Sequence, residues 1–467
     1  MKESIRKKID KLDRKLFKYL DQRFTLVKPL GLLKKELKDP RREEEILKKT
    51  TCTKYHEEIQ NIYKAIFSEA ISVQKPKKAI IGKDISHSLS KVIYEDIFHF
   101  DNYEIINSEN YKEDFFKYNY EFLNITSPYK KDAFKYATLV DDSSVITKSG
   151  NFYYQGVLYN TDFLGALELF KDYLDNENVV IFGKGAVSEL LMMVFRNAKC
   201  FPSFINELKE NDFSLIYEAE VVINASLYGN SFEEKFIVDL DKLVNLKVVI
   251  ELNYKLYQTA LVRYGHKHSL KVYDGLDFLL TQAFLNMKLV DEGLVNGLDF
   301  KKVKRYLLNK YLNIVIIGMP YAGKTELGKK ISVFLDKYFI DTDELLVSEK
   351  KDINSLKLED FRKEEKKVTG KLVSLRSHVF SLGGGSVLHG RELQSLSQTG
   401  IVLFLDTNIE TIKKRNDGSR PLFKSPDSLE SVYKERKELY LKYSDIIVKE
   451  DDTIEEVAKK IYEYFNC

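Results

Sequence analysis

Residues 312–330, "LNIVIIGMPYAGKTELGKK", constrain what this chain can fold into more than any other stretch. The apolar run Ile314–Ile317 reads as a buried strand, and a helical pattern opens at Lys324. Between them, Gly318-x-x-x-x-Gly323-Lys324-Thr325 lets backbone N–H groups curl round phosphates at a helix N-terminus. Strand, glycine loop and helix in that order make the unit of an α/β domain. The chemistry it calls for is ATP with Mg²⁺: Lys324 neutralises β/γ oxygens, and Thr325 offers a hydroxyl to the metal.

Some 310 residues precede that loop, so the chain holds more than one core; its 467 residues suggest roughly two to four domains. The 74 basic and 71 acidic residues nearly cancel to +3, which decides little about partners. The lysines are interspersed with Glu and Asp as on a solvated surface, and nothing resembles a basic nucleic-acid tail. Cys52, Cys200 and Cys467 are too few and too scattered for a disulfide framework or a metal cluster, and they suit a reducing cytoplasm. The start, MKESIRKKIDKLD, lacks the apolar core of a signal peptide. No run reaches the ~18 apolar residues of a membrane span.

Hydrophobic periodicity changes twice. Residues 1–75 carry helical spacing, with Ile5, Ile9, Leu12, Leu16, Leu20, Phe24 and Val27 on one stripe. From Pro76, short apolar runs alternate with helical patterns, as in "NVVIFGKGAVSELLMMVF" at 178–195. The third segment begins with the phosphate-loop strand. Three domains are expected: an all-α domain at 1–75, a two-lobed α/β domain at 76–305 and an α/β phosphate-loop domain at 306–467.

Downstream of the loop, "FIDTDELL" puts Asp341 and Asp343 two residues apart at the end of a strand, on one face. "EDFRKEE" adds Arg362, "FSLGGGSVL" adds Gly383, Gly384 and Gly385, "NDGSRPLF" adds Arg420, and "YKERKELY" adds Arg436. Three consecutive glycines mark a place where backbone must approach a ligand closely. In this order the set resembles shikimate kinase across 312–467. The resemblance implies that Arg362 and Arg436 grip a ring carboxylate bidentately. It places Asp343 and the Gly383–Gly385 backbone on ring hydroxyls, and Asp341 with Thr325 near Mg²⁺. Gly318, Gly323, Lys324 and Thr325 would hold ATP, with Lys324 and Arg420 acting on the transferring phosphoryl group. Glu359-Asp360 departs from the family's Gly-Glu before Phe-Arg.

In the middle segment, "IGKDISHSLS" and "LNITSPYKKD" resemble the substrate lobe of shikimate dehydrogenase. "YNTDFLG", "INASLYG", "ELNYKLYQTALV" and "DGLDFLLTQAF" extend that resemblance through 78–300. It implies a substrate lobe near 76–163 plus 275–305 and a cofactor lobe near 164–274. Ser88 and Ser90 would bind a carboxylate and Thr126 a hydroxyl, with Tyr254 and Gln282 as further substrate contacts. Lys130 beside Asp162 would serve the ketone, since hydride transfer needs a proton donor at the oxygen; by itself Lys130 reads as a solvated loop lysine. The cofactor would rest on Gly183, Gly185 and Ala186, with Asn206, Glu207 and Asn224 nearby; this GxGxx turn lacks a third glycine. NADP(H) is the family cofactor. Glu207 stands where an arginine is usual and would repel a 2′-phosphate, so NAD(H) stays open, with Lys184 and Lys209 as substitute cations. Val145-Ile146-Thr147 replaces the family's Val-Asn-Thr and removes a polar substrate contact.

In the first segment, Arg23 and Lys34 are 11 residues apart, about 20° round a continuous helix. Arg6 lies about 100° from Arg23, which fits a site completed by a second chain. Charge of this density also suits a plain helical tether or dimerisation module. The ordered set Arg6, Arg23, Lys34, Asp39, Arg42, Glu43 and Gln74 resembles the all-helical chorismate mutase. That implies Arg6, Arg23 and Arg42 on two carboxylates, Lys34 and Gln74 on the ether oxygen, Glu43 on a ring hydroxyl, and a homodimer. Pro29, costing ~3 kcal/mol inside the first helix, and Ala70 in place of a polar residue bear on the efficiency of such a mutase and not on its identity. Together the resemblances imply chorismate, 3-dehydroshikimate and shikimate as substrates. The competing readings are a dehydrogenase/kinase whose helical segment is only a dimerisation or ligand-sensing module, and a quinate-type dehydrogenase fused to another small-molecule kinase.

Overall fold

The computed structural model describes residues 2–34, 36–86, 88–229, 235–349, 358–416 and 426–467. The chain divides into two compact units, Met1–Leu164 with Leu285–Val295, and Gly165–Phe284 with Asn296–Cys467.

The first unit opens with helices Lys2–Val27, Leu30–Leu33, Pro40–Lys49 and His56–Gln74. The first helix stops with its apolar stripe and does not run on through Pro29 to Lys34 as expected. It ends at Val27, and Pro29 becomes the N-cap of the four-residue helix that follows. A proline tolerated at a helix start costs nothing there, so the expected interior-proline penalty does not arise. The same break removes the premise that Arg23 and Lys34 share one helix, because Lys34 is the extended residue closing Leu30–Leu33. Helix Lys2–Val27 buries none of its own residues: Ile5, Ile9, Leu12 and Leu16 are 51%, 49%, 65% and 50% exposed. Helix His56–Gln74 buries Phe67, Ala70 and Gln74, one face at three- and four-residue steps.

This helical group sits on a six-stranded sheet. Its strands are β1 (Lys77–Gly82), β2 (Tyr103–Asn107), β3 (Tyr120–Ile125), β4 (Leu139–Val140), β5 (Phe152–Tyr154) and β6 (Val157–Tyr159), in the order β2-β1-β3-β5-β6-β4. β1 pairs in parallel with β2 and β3, while β5 runs antiparallel to both β3 and β6. The joint is tight. Asn119 Nδ2 donates to the Gln74 carbonyl at 3.2 Å and to the Lys28 carbonyl, and Lys28 Nζ reaches the Phe116 carbonyl.

The second unit holds two parallel sheets. β7 (Val179–Phe182), β8 (Lys199–Phe201), β9 (Val221–Asn224), β10 (Val248–Glu251) and β11 (Lys271–Tyr273) run in the order β11-β10-β9-β7-β8. β7, β9 and β10 are buried along their whole length, as expected where helices cover both faces. β12 (Asn313–Ile317), β13 (Tyr338–Asp341), β14 (His378–Ser381), β15 (Gly400–Asp406) and β16 (Ile446–Lys449) run in the order β13-β14-β12-β15-β16. Helix Phe300–Tyr311 joins the two sheets. Its Lys304, 1% exposed, is bonded to Asp274 at 2.8 Å and Asp277 at 2.7 Å, so a buried cation is matched by two carboxylates.

Candidate active sites

The phosphate loop leaves β12 through Gly318. Its φ of +148° already disfavours a side chain, and a Cβ there would lie 2.8 Å from the Leu405 carbonyl oxygen. Gly323, at φ +101°, caps helix Lys324–Phe334. Lys324 Nζ donates to the Met319 carbonyl at 2.9 Å, and Thr325 Oγ1 donates to Asp341 Oδ2 at 2.6 Å. A hydroxyl and a carboxylate meeting at the loop are oxygen donors of the kind Mg²⁺ takes, so the pair fits that ion. The strand ends earlier than the sequence pattern suggests. Asp341 closes β13 and its Oδ1 accepts from the N–H groups of Asp343 and Glu344, turning the chain into helix Thr342–Glu349. Asp343 is therefore a first-turn helix residue, not a same-face strand partner of Asp341.

The Gly383–Gly385 turn gathers the rest. A Cβ on Gly383 would lie 2.5 Å from Glu365 Oε1 and 2.7 Å from Asp343 Oδ1. On Gly384 it would lie 2.4 Å from Pro320 of the phosphate loop, and on Gly385 1.9 Å from the Arg362 guanidinium. Arg436, buried on helix Pro426–Tyr443, donates to the Gly384 carbonyl at 2.9 Å, and its Nε is buried without a partner. The structure thus brings Asp343, Arg362, Arg436 and the three glycines to one place beside the loop. Arg420 lies outside the described residues.

Sequence reasoning missed Glu365, His389 and Arg415. Glu365 accepts from Arg362 at 2.5 Å, His389 Nε2 at 2.9 Å and Ser386 at 3.2 Å. Burial pushes its carboxyl up, but the His389 and Arg362 contacts outweigh that and hold it below the ordinary range. A charged Glu365 fixes Arg362, and its place three residues after that arginine on one helix was the available signal. Arg415 donates to the Ala322 carbonyl at 3.1 Å. It lines a cavity of about 340 Å³ with Gly323, Lys324, Thr325, Asp341 and Asp343.

The first unit holds a second cluster. Lys130 Nζ meets Asp162 Oδ2 at 2.5 Å, with Asp162 only 1% exposed. Asn151 Nδ2 donates to the other carboxylate oxygen at 3.1 Å. Behind it runs a buried amide chain that no sequence motif announced. Thr161 donates to Asn286 at 2.7 Å, Asn286 to Asn124 and to the Tyr94 hydroxyl at 2.9 Å, and Asn124 to the Tyr103 hydroxyl at 2.7 Å. Ser88 and Ser90 are joined hydroxyl to hydroxyl at 3.0 Å, and a Cβ on Gly82 would lie 2.4 Å from Thr126. Val145-Ile146-Thr147, expected in a binding loop, forms the last turn of helix Asp142–Thr147. Ile146 is exposed there, and Thr147 bonds inward to Ser143 and Ser149.

In the second unit, Gly183 (φ +139°) turns the chain after β7, and a Cβ there would strike Ser188 and the Ala225 carbonyl. Gly185 caps helix Ala186–Val194 and faces open space, a cradle that fits a dinucleotide's phosphates. Glu207 pairs with Lys184 at 3.0 Å near the exposed Asn206. Asn224 is spent internally: Nδ2 bonds Glu251 at 2.9 Å and the Tyr228 carbonyl at 2.7 Å, and Oδ1 accepts from Ser226. Glu251 also takes the Thr259 hydroxyl at 2.7 Å and the Asn253 N–H at 3.0 Å. Burial pushes its carboxyl up to about 7 against these bonds. Tyr254 lies in the loop after β10, and Gln282 on helix Gly275–Val290.

In the helical segment, Arg23 lies over the Phe67 ring at 5.9 Å, and its Nη1 is buried without a hydrogen-bond partner. Gln74 Oε1, at the end of helix His56–Gln74, is likewise buried and unbonded. Two orphaned buried polar groups point to a polar ligand. Asp39 caps helix Pro40–Lys49 by accepting from the Arg42 N–H at 3.1 Å, and Arg42 pairs with Glu45 at the surface. Arg6 is exposed, while Lys34 and Glu43 are half-buried.

Residues 320–466 match the family model for shikimate kinase, and residues 5–75 match that for chorismate mutase type II. A shikimate kinase of Clostridium botulinum (strain Loch Maree / Type A3) is 38% identical over 146 residues, 29% of this chain and 86% of that protein. A shikimate dehydrogenase of Sulfurisphaera tokodaii is 29% identical over 253 residues, 48% of this chain and 95% of that protein. A crystal structure of a chorismate mutase/shikimate 5-dehydrogenase fusion protein from Clostridium acetobutylicum is 22% identical. It covers 49% of this chain and 97% of its own, with a TM-score of 0.40. No helix among the described residues is long and apolar enough to cross a membrane. This chain belongs to the shikimate kinase family through its last segment, and carries ahead of it a segment that matches the chorismate mutase type II model and a middle similar to shikimate dehydrogenases.

Proposed function

We propose that this chain is a trifunctional enzyme of aromatic biosynthesis that rearranges chorismate to prephenate, reduces 3-dehydroshikimate to shikimate, and phosphorylates shikimate with ATP. Its segments would act as domains near 1–75, 76–305 and 306–467. The observation that carries the reading is the turn at Gly383–Gly385, on which Pro320, Asp343 and Arg362 close while Arg436 holds its carbonyl. Two arginines and a carboxylate beside a phosphate loop suit an acceptor with one carboxylate and several hydroxyls.

At the kinase site, Arg362 and Arg436 hold the shikimate carboxylate, Asp343 orients the acceptor hydroxyl, and Lys324 offsets charge on the transferring group. Thr325 and Asp341 are the residues that would hold Mg²⁺, which neutralises phosphate charge when bound. At the dehydrogenase site, Ser88, Ser90 and Thr126 anchor the substrate, and Lys130, oriented by Asp162 at 2.5 Å, holds a proton at the ketone oxygen. A bound nicotinamide supplies the hydride. Lys184 offsets Glu207 at 3.0 Å and leaves NADP(H) admissible as cofactor. At the mutase site, Arg23 and Gln74 face the substrate, and the exposed stripe Ile5-Ile9-Leu12-Leu16 pairs with a second copy of the chain. The compartment that suits these reactions is the cytoplasm.

Incubating the protein with 3-dehydroshikimate, ATP, Mg²⁺ and either NADPH or NADH should yield shikimate 3-phosphate, faster with NADPH. Lys130→Ala should lower reduction by roughly 10²-fold or more, while added shikimate is still phosphorylated. Equal loss of both steps would refute separate sites, and no product from either nucleotide would refute the dehydrogenase assignment.

A further inference from the structure

The loop between β10 and helix Ala260–Lys267 carries Tyr254, a substrate contact in the dehydrogenase reading on which this inference rests. Its near end is fixed within the cofactor lobe. Asn253 donates through N and Nδ2 to Glu251 Oε1 at 3.0 and 2.9 Å. Its far end is held from two sides, by Thr259, which donates to Glu251 Oε2 at 2.7 Å, and by a different module. The N–H groups of Tyr257 and Gln258 donate to the Gln398 carbonyl at 3.0 and 3.2 Å, across to the kinase segment. The Gln258 side chain, fully buried, donates to the Gly400 carbonyl at 3.3 Å and to Asp445 at 3.4 Å. Its Oε1 accepts from the Tyr464 hydroxyl at 2.7 Å. Asp445 is in turn held by Arg263 at 3.0 Å and by the Val402 N–H at 2.8 Å.

A glutamine with nothing to bond to would not be buried at such a junction, since each unmade bond costs the full desolvation of the group. Here the kinase segment satisfies both ends of the amide and two backbone N–H groups beside it. The loop is therefore suspended between Glu251 on one side and the kinase on the other, with Tyr254 between the anchors. We propose that the kinase module positions the substrate loop of the dehydrogenase, and that Gln258 is the positioning residue through which it does so.

The kinase's own chemistry lies at the other end of its sheet. Gly400 starts β15 at the junction, whereas Leu405 near its end touches Gly318 of the phosphate loop. Five residues of strand separate them, roughly 17 Å. Loosening the junction should leave phosphoryl transfer alone and act on the dehydrogenase.

The test uses the full chain, with both activities read from one preparation. Gln258→Ala should raise the dehydrogenase KM for 3-dehydroshikimate about five- to tenfold, with kcat and both kinase constants within about twofold of wild type. Tyr464→Phe removes only one hydroxyl, 206 residues away in sequence, and should give a smaller rise of the same kind. In the double variant the Tyr464→Phe effect should shrink, because its shorter bond, to Gln258, is already gone and only the 3.4 Å contact to Asp445 remains. A merely local role for Gln258 predicts no dehydrogenase effect from Tyr464→Phe, and that result overturns the proposal. Parallel loss of both activities in Gln258→Ala also overturns it, since it would mark general unfolding. Failure of the dehydrogenase reading itself would be seen apart from these, as absence of reduction by the wild-type chain.

Discussion

Around Gly383–Gly385, several elements of one chain close on a turn that has no space for a methyl group, whereas helix Lys2–Val27 leaves Ile5, Ile9, Leu12 and Leu16 in solvent. The kinase cradle is finished within a single chain: Glu365 sets Arg362, Arg436 and Tyr440 hold the Gly384 carbonyl, and Pro320 abuts it. The helical segment has the opposite character. Arg23 and Gln74 each bury a polar atom without a bond, and the apolar stripe that should make a core faces outward. A parallel sheet with helices on both faces can enclose a site alone, while four short helices cannot bury enough surface to do so. The difference teaches that the two sites should fail in different ways.

The largest expected effect breaks the finished cradle. A Cβ at residue 384 would sit 2.4 Å from the Pro320 ring, which is part of the loop backbone and cannot swing aside. Gly384→Ala should lower shikimate phosphorylation by on the order of 10²-fold or more, with reduction of 3-dehydroshikimate preserved in the same sample. Kinase activity near wild type would show that the turn has slack. The next effect breaks the unfinished site. Leu12→Glu places a charge on the exposed stripe and should dissociate the proposed dimer in sedimentation. Chorismate turnover at low protein concentration should fall roughly tenfold, with kinase rates unchanged per chain. A monomeric wild type with full mutase activity would end the comparison.

The smallest effect sharpens the comparison, by asking whether the cofactor lobe has a finished polar node of its own at Glu251. Its carboxyl stands at about 7 in the folded protein against an ordinary 4.5, so the folded state keeps a proton that the unfolded chain releases. That contribution is full below pH 4.5 and is lost as pH rises through 7. Glu251→Gln mimics the protonated form and should flatten the fall in melting temperature between those pH values by a few degrees, about 2–4 °C per kcal/mol for a domain of this size. An unchanged pH profile would mean that Glu251 is ionised when folded.

Much of this was legible in the residues. The glycines of the phosphate loop and the 383–385 turn had to be glycines, since φ or space excludes anything else, whereas Lys130 with Asp162 was legible only through the resemblance to shikimate dehydrogenase. What was hidden depends on contacts between distant segments. The break at Val27 was missed because the helix was carried past the last residue of its apolar stripe to Lys34, although Pro29 was in plain view. Asp343 was misplaced because Asp341 stops the strand by accepting from the Asp343 and Glu344 N–H groups and opening a helix. Glu365, His389 and the Asn124–Asn286 chain are ordinary polar residues in one dimension, and only the fold makes them partners.

Lys304 and its two carboxylates have one more consequence. The exposed Asn296–Gly297 pair lies just ahead of helix Phe300–Tyr311, which stays bound to Asp274 and Asp277 beneath the cofactor lobe. A protease that nicks the chain there would cut the covalent thread without freeing a kinase. The fragments would migrate together until denaturant separated them, and would be candidates for reassembly from two separately expressed pieces.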